Sequence, residues 1–116
     1  MKCEKLYVWK RSCDLSVEVY LYFQESRDFG FKDQITRSSL SVASNIAEGI
    51  EKDSYKENIR FLEIAKGSLA ELITQIYIGV RIGYIEKNIA KKWQIEADEL
   101  MKMITGLKKS FKRKLK

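Results

Sequence analysis

Apolar residues recur every three or four positions along most of this chain, which is the spacing of one face of an α-helix. The pattern predicts four helices, at about residues 4–25, 31–50, 54–81 and 88–113. The breaks between them are short and contain Ser, Asp or Gly. Because short connections make neighbouring helices antiparallel, we predict an all-α protein with a single domain, residues 1–116, folded as an up-down-up-down four-helix bundle.

The third and fourth helices have the clearest core stripes. Ser54 followed by Glu57 predicts a capping box at the start of the third helix, and Gly83 predicts its C-terminal cap. Gly67 lies inside this helix at a cost of about 1 kcal/mol relative to Ala, so we expect a neighbouring helix to approach it closely. The third stripe is Leu62, Ala65, Leu69, Leu72, Ile73, Ile76 and Val80, and the fourth is Ile89, Trp93, Ala97, Leu100, Ile104, Leu107 and Phe111.

The first helix has more apolar surface than one core face requires. One stripe contains Leu6, Trp9, Cys13, Val17 and Tyr20, and a second, rotated stripe contains Val8, Leu15, Val19 and Tyr22. A core-facing stripe covers roughly 100° of a helix, and these two cover more. The helix is therefore predicted either to be central in the bundle or to contact a second subunit, and we expect a homo-oligomer.

The second helix contains the segment RSSLSVASNIAEG, residues 37–49, with four serines and two alanines. Its small side chains permit close packing, and Arg37, Asn45 and Glu48 form a polar stripe at helical spacing, to which we add Glu71 of the third helix. Three interpretations remain open: structural pairing or solvation, a specific contact between subunits, and a ligand or catalytic site. We favour a structural role for this stripe.

Positive charge is concentrated at the C-terminal end. The chain has 22 Lys and Arg against 16 Asp and Glu, a net charge of +6, and residues 101–116 contain no acid. The candidate nucleic-acid-binding residues are Lys102, Lys108, Lys109, Lys112, Arg113, Lys114 and Lys116. Such a patch suits phosphate backbones, although a solvated tail is the alternative. Because Trp93 and Phe111 belong to the core stripe, we expect no platform of exposed aromatic rings for base stacking.

Several functional classes are disfavoured. The chain has no His, so neither the Glu-x-x-His motif of a di-metal bundle nor a Ser-His or Cys-His pair is present. We therefore expect no enzyme, no cofactor and no metal, and we expect Cys3 and Cys13 to be reduced thiols. No uncharged run approaches the roughly 18 residues of a membrane helix, and the start, MKCEK, has no signal-peptide character. The expected location is cytoplasmic.

The segments LYVWKRSCDL, FGFKDQITRSSLSVASNIAEG, RFLEIAKGSLAEL and IGYIEK together resemble the 23S rRNA intervening-sequence proteins, a family of four-helix bundles. The likeness covers nearly the whole chain. The positions that match the family's pattern are Trp9, Gln34, Arg37, Asn45, Glu48, Gly49, Gly67, Ser68 and Glu71. One departure is the absence of proline, which the family often has before the second helix and just ahead of NIAEG.

The resemblance implies a ring-like homopentamer and no known reaction. By analogy with a relative, the accessory protein of diversity-generating retroelements, it also implies RNA or DNA as a partner, or a protein such as a reverse transcriptase. Two functional classes follow. The first is a non-enzymatic oligomeric accessory protein that binds nucleic acid through the basic C-terminal end, and the second is a protein-interaction scaffold with no nucleic-acid role.

Overall fold

The computed structural model describes residues 1–115, and within this range it contains helices and turns but no strand. Its four α-helices are α1 (Tyr7–Tyr22), α2 (Phe29–Glu51), α3 (Tyr55–Arg81) and α4 (Lys87–Lys114). The four predicted helices and the all-α class are therefore confirmed. The bounds of α2, α3 and α4 agree with the prediction to within two residues.

Helix α1 is shorter than predicted at both ends. A 3-10 turn, Lys2–Lys5, buries Cys3 completely, and Leu6 then takes an extended conformation with φ −96° and ψ 124°. The helix begins after this break and ends at Tyr22, three residues before the predicted end at Glu25. Apolar spacing did not reveal the break because Leu6 is the single apolar residue between the predicted start at Glu4 and Tyr7, which is too few to show a change of period.

The helices form an antiparallel bundle in which α1 lies beside α2 and α4, and α3 lies beside the same two helices. The direction of each helix follows from paired contacts. Between α2 and α3, Ser41 contacts Ser68 while Gly49, further along α2, lies beside the earlier Phe61. Between α1 and α4, Arg11 binds Glu96 and Glu99 while the later Glu18 binds the earlier Lys92. The molecule measures 48 × 21 × 21 Å, consistent with the length of about 42 Å that 28 residues give at 1.5 Å per residue.

The bundle core contains the predicted apolar stripes of α3 and α4, so the helical spacing inferred from the sequence is correct for both helices. In α4, Trp93, Ala97, Leu100 and Ile104 are buried, while Ile89, Leu107 and Phe111 are half-buried against the same core. The core-facing residues of α1 are Val8, Leu15, Val19 and, just beyond the helix, Phe23. The other stripe of α1 divides: Leu6 and Trp9 pack partly buried against the core, whereas Val17 and Tyr20 turn outward with 57% and 55% of their surface exposed.

Two glycines permit close contact between elements, and neither is the one predicted. A Cβ added at Gly49 would lie 2.9 Å from the Cβ of Phe61, and one added at Gly79 would fall within 2.8 Å of the Ile85 side chain. The expectation for Gly67 is wrong, since an added Cβ would meet no atom within 4 Å. The close approaches of α3 therefore occur nearer its ends.

The ends of α3 use both predicted caps, one of them only in part. The hydroxyl of Ser54 accepts a hydrogen bond from the backbone N–H of Glu57 at 3.2 Å. The carboxylate of Glu57 instead binds Arg60 at 2.8 Å, so the capping box is half formed. Gly83 takes φ +81°, and backbone bonds from Gly83 to Val80 and from the next residue to Gly79 form a Schellman motif.

An ion-pair cluster joins α1 to α4. Arg11 donates through Nε and Nη2 to Glu96 at 2.9 and 2.5 Å, and Nη2 also lies 2.6 Å from Glu99. Both side chains of the main pair are about two-thirds buried. Hydrogen bonding from Arg11 lowers the pKa of Glu96, against the opposing effect of its partial burial, and Glu96 in turn raises the pKa of Arg11. This geometry makes the pair a stronger contributor than a solvated surface bridge.

We expect Glu96→Gln to lower the free energy of unfolding at pH 7 by about 1.5 kcal/mol, the lower range for hydrogen bonds to charged groups. Because the folded-state pKa of Glu96 is below its ordinary value of 4.5, its contribution is fully present above that pH. It is lost as the pH falls through the folded-state pKa. Urea denaturation at a series of pH values should therefore show the difference shrinking in acid. Asp98→Asn, at an exposed acid of α4, should show no such difference.

Candidate functional site

The basic C-terminal surface is built by the last turns of α4. We call the exposed side chains of Lys102, Lys109, Lys112, Arg113 and Lys114 the basic end. Lys102, Lys109 and Arg113 share one face of the helix, because they are seven and four residues apart. Lys116, also predicted to contact nucleic acid, lies outside the described residues. The cations of the basic end are thus available to a ligand at one tip of the bundle.

Lys108 differs from its basic neighbours because its ammonium group binds the carboxylate of Glu63 on α3. Its side chain is only 13% exposed. Desolvation lowers the pKa of Lys108, and the nearby charge of Lys112 lowers it further, while an adjacent carboxylate acts in the opposite direction. The structure therefore places the Lys108 ammonium group between α3 and α4, paired with Glu63 and much less exposed than the cations with which it was grouped.

Sequence analysis missed an aromatic side chain beside the basic end. Tyr55, the first residue of α3, is 43% exposed, and its ring centroid lies 6.2 Å from that of Phe111. The ammonium of Lys114 lies 5.8 Å from the Tyr55 ring and 5.4 Å from the Phe111 ring. The predicted antiparallel topology brings the start of α3 to the end of α4. It could therefore have indicated that Tyr55 lies near Phe111 and Lys114.

The polar stripe of α2 separates into two groups. Asn45 donates to the carbonyl and hydroxyl oxygens of Ser41 at 2.8 and 2.9 Å. The Ser41 hydroxyl then lies 2.8 Å from that of Ser68 on α3, so this group connects two helices. Arg37, in contrast, pairs with Asp33 one turn earlier on its own helix, and both side chains are well exposed.

Glu48 and Glu71 are exposed on the outer side of α2 and α3. The charge of Glu48 contributes to the raised pKa of Arg60, whose main cause is the hydrogen bond to Glu57. Neither Glu48 nor Glu71 makes a hydrogen bond to another helix within residues 1–115, and a contact between subunits stays a prediction for both. Nearby on α3, the buried Oε1 of Gln75 has no hydrogen-bond partner among the described residues.

An apolar groove runs between α1 and α2 and contains the exposed residues of the first α1 stripe, Val17 and Tyr20. Its cavity volume is about 520 Å³. The apolar side chains that line it are Val17, Tyr20, Leu21 and Leu40, each more than half exposed. The Arg37–Asp33 pair lies at its rim. The surplus apolar surface expected from the sequence is therefore present, although Leu21 of α1 and Leu40 of α2 were not assigned to it.

Residues 1–115 contain no group of three or more His, Cys, Asp or Glu placed to hold a metal ion. The four helices described above include none that is long and apolar enough to cross a membrane. Cys3 and Cys13 are both free thiols, and desolvation raises the pKa of Cys13.

The fold and these surfaces define an antiparallel four-helix bundle protein with one basic tip and one exposed apolar groove. The chain belongs to the family of 23S rRNA-intervening sequence proteins, whose model matches residues 4–106. The resemblance inferred from RSSLSVASNIAEG and the other segments is thereby confirmed. Most of the basic end, from Lys109 onward, lies after the matched range.

A crystal structure of a protein with unknown function is similar to this fold. That protein comes from the S23 ribosomal protein family of Bacteroides thetaiotaomicron VPI-5482 and aligns with a TM-score of 0.82 and 24% sequence identity. The alignment covers 88% of this chain and 98% of the other. At this level of identity the likeness supports the fold alone. No curated protein matches the chain significantly.

Proposed function

We propose that this protein is a non-enzymatic accessory protein of the cytoplasm that binds the phosphate backbone of RNA or DNA through the basic end. The observation that carries the proposal is the placement of charge. Five exposed cations lie on the last turns of α4, and residues 101–116 contain no acid to offset them. Clustered cations attract nucleic acid by releasing counterions from its phosphates.

Backbone contacts position a nucleic acid but do not read its sequence, so the proposed binding has weak sequence selectivity. A homo-oligomer, most simply the pentamer that the family resemblance implies, would present several copies of the basic end on one particle. Multivalent contact of this kind raises avidity without any new interaction. The strength of binding would therefore depend on assembly as well as on charge.

A protein-interaction scaffold is the second candidate function. The α1–α2 groove supports it, because Val17, Tyr20, Leu21 and Leu40 leave a contiguous apolar surface exposed in the single chain. Exposed patches of this kind commonly mark protein interfaces. The partner would be another copy of this chain, which makes the homopentamer, or a different protein such as a reverse transcriptase.

Neutralising part of the basic end tests the first proposal. We expect Lys112→Gln with Arg113→Gln to reduce the slope of log K against log salt by about 1.4 for single strands and about 1.8 for duplex DNA, as the loss of two phosphate contacts requires. Fluorescence anisotropy with labelled RNA and DNA at several salt concentrations measures the slope. The matched control is Lys87→Gln with Lys91→Gln, which removes two exposed cations from the other end of α4.

The control pair should leave the slope unchanged. Absence of binding by the unaltered chain at low salt would remove the nucleic-acid proposal and favour the scaffold. Equal slopes for both double variants would show that only the net charge of the molecule matters. In that case the end of α4 would not be a defined contact surface.

A further inference from the structure

An aromatic ring and an ammonium group lie together where α3 begins and α4 ends. Tyr55 keeps 43% of its surface exposed while one part of its ring packs against Phe111, with an angle of 38° between the ring planes. Lys114 lies within 6 Å of both ring centroids. The exposed part of Tyr55 is thus a supported aromatic surface at the edge of the basic end.

Charge around this ring also suits an anionic ligand. Lys56 is exposed in the next position of α3. Among the nearby carboxylates, Glu57 binds Arg60 and Glu51 accepts a hydrogen bond from the backbone of Lys2. Asp53 is the exposed acid of the preceding turn. Lys114 therefore adds positive charge beside the Tyr55 ring, where the carboxylates of Glu51 and Glu57 already have hydrogen-bond partners.

We infer that Tyr55 is a base-stacking residue and that the ligand class of the basic end is single-stranded nucleic acid. This inference rests on the proposed function. In a duplex the faces of the bases are covered by their neighbours, whereas an unpaired base can place its face on an aromatic side chain. Phosphate contacts alone would suit a duplex equally well, and the exposed ring is the feature that favours the single strand.

The two kinds of contact make separable contributions to affinity. Lys112 and Arg113 contact phosphates, so their contribution falls as salt rises. Stacking on Tyr55 displaces no counterions, and its loss lowers affinity by the same factor at every salt concentration. Replacing the aromatic ring should therefore shift the plot of log K against log salt downward without changing its slope.

The test compares Tyr55 variants of the full chain by fluorescence anisotropy. The probes are labelled oligo(U) and oligo(dT) of about 20 nucleotides and a duplex of equal length. This length exceeds the roughly 4–16 nucleotides that one OB fold, a common single-strand-binding domain, occupies. We expect Tyr55→Ala to bind both single strands about tenfold more weakly, to bind the duplex unchanged, and to keep the salt slope. Tyr55→Phe should bind as the unaltered chain does.

Two further variants protect the test from a trivial loss of structure. Tyr55→Leu keeps apolar contact with Phe111 and should weaken single-strand binding like Tyr55→Ala. Tyr77→Ala is the matched control, since Tyr77 lies on the same helix, is 58% exposed and has Arg81 6.0 Å from its ring. Tyr77→Ala should bind all three probes as the unaltered chain does. Thermal unfolding should show that each variant is folded at the assay temperature.

The failure of this inference can be told apart from failure of the proposed function. If the unaltered chain binds neither single strand nor duplex, both are wrong. If the unaltered chain binds and Tyr55→Leu binds single strands as tightly, the stacking role is wrong while phosphate binding stands. The same holds if Tyr77→Ala lowers the affinity for single strands as much as Tyr55→Leu does. Equal losses of single-strand and duplex binding in Tyr55→Ala would likewise overturn the assignment to a single strand.

Discussion

Replacing Asn58 by Leu should lower the free energy of unfolding by about 3 kcal/mol, a large change for a domain of this size. The Asn58 side chain is 4% exposed and donates from Nδ2 to the carbonyl oxygens of Gly49 at 2.5 Å and Lys52 at 3.1 Å. Leu has a similar volume but no donor, so two carbonyl groups at the α2–α3 connection lose a partner. The absence of a Cβ at Gly49 lets α3 approach this end of α2 closely, because an added Cβ would lie 2.9 Å from the Cβ of Phe61.

Urea denaturation at a fixed protein concentration measures this change, and the midpoint of thermal unfolding should fall by roughly 10 °C. Asn88→Leu is the control, because Asn88 is exposed near the start of α4 and should change stability by less than about 0.5 kcal/mol. The Gly49 carbonyl oxygen keeps its hydrogen bond from the backbone N–H of Lys52, so the loss falls on its second acceptor position and on Lys52. A value for Asn58→Leu as small as that of the control would mean that water or backbone adjustment replaces the two lost hydrogen bonds.

The parts of the fold that depend on local spacing were predictable from the sequence. The stripe from Trp93 to Ile104 follows the helical period, and burial of one face of α4 is the direct consequence. The cap at Gly83 was predictable for a similar reason, since a residue with φ +81° at a helix end favours glycine. Local signals were sufficient because each of these features is formed within one helix.

Features that depend on the register between helices were not predictable in the same way. Gly67 and Gly79 are both inside α3, and only the position of Ile85 and α2 determines that Gly79 is the crowded one. The break at Leu6 likewise lies next to the turn that buries Cys3, and that burial depends on contact of the turn with α1 and α2. Spacing along one helix contains no information about the atoms that face it.

The same distinction applies to the candidate site. Exposure of Lys109, Lys112 and Arg113 could be inferred from composition, because solvated cations without acids close in sequence stay accessible. The pairing of Lys108 with Glu63 could not, since these residues are 45 positions apart and meet only through the register of α3 and α4. The pairing of Tyr55 with Phe111 also depends on the register of α3 and α4, so it was missed. The antiparallel topology alone shows only that the start of α3 lies near the end of α4.

Charge introduced into the α1–α2 groove should dissociate the proposed oligomer and leave each chain folded. Val17→Lys with Leu40→Lys places two ammonium groups on a surface where both native side chains are more than half exposed in the single chain. The monomer therefore tolerates the change, whereas an interface would have to bury two unpaired charges. Light scattering at micromolar concentration should show the mass falling from that of several chains, five in the proposed pentamer, to that of one.

The matched control is Ile95→Lys, which adds charge at an apolar residue of α4 that is 55% exposed but lies outside the groove. It should preserve the mass of the assembly. A double groove variant that keeps the native mass would place the interface elsewhere, and the outer face of α2 and α3, with Glu48 and Glu71, would become the next candidate. If the unaltered protein is already a monomer, then the groove needs a different protein partner. In that case nucleic-acid binding would have to rely on one basic end, with no gain in avidity from repeated copies.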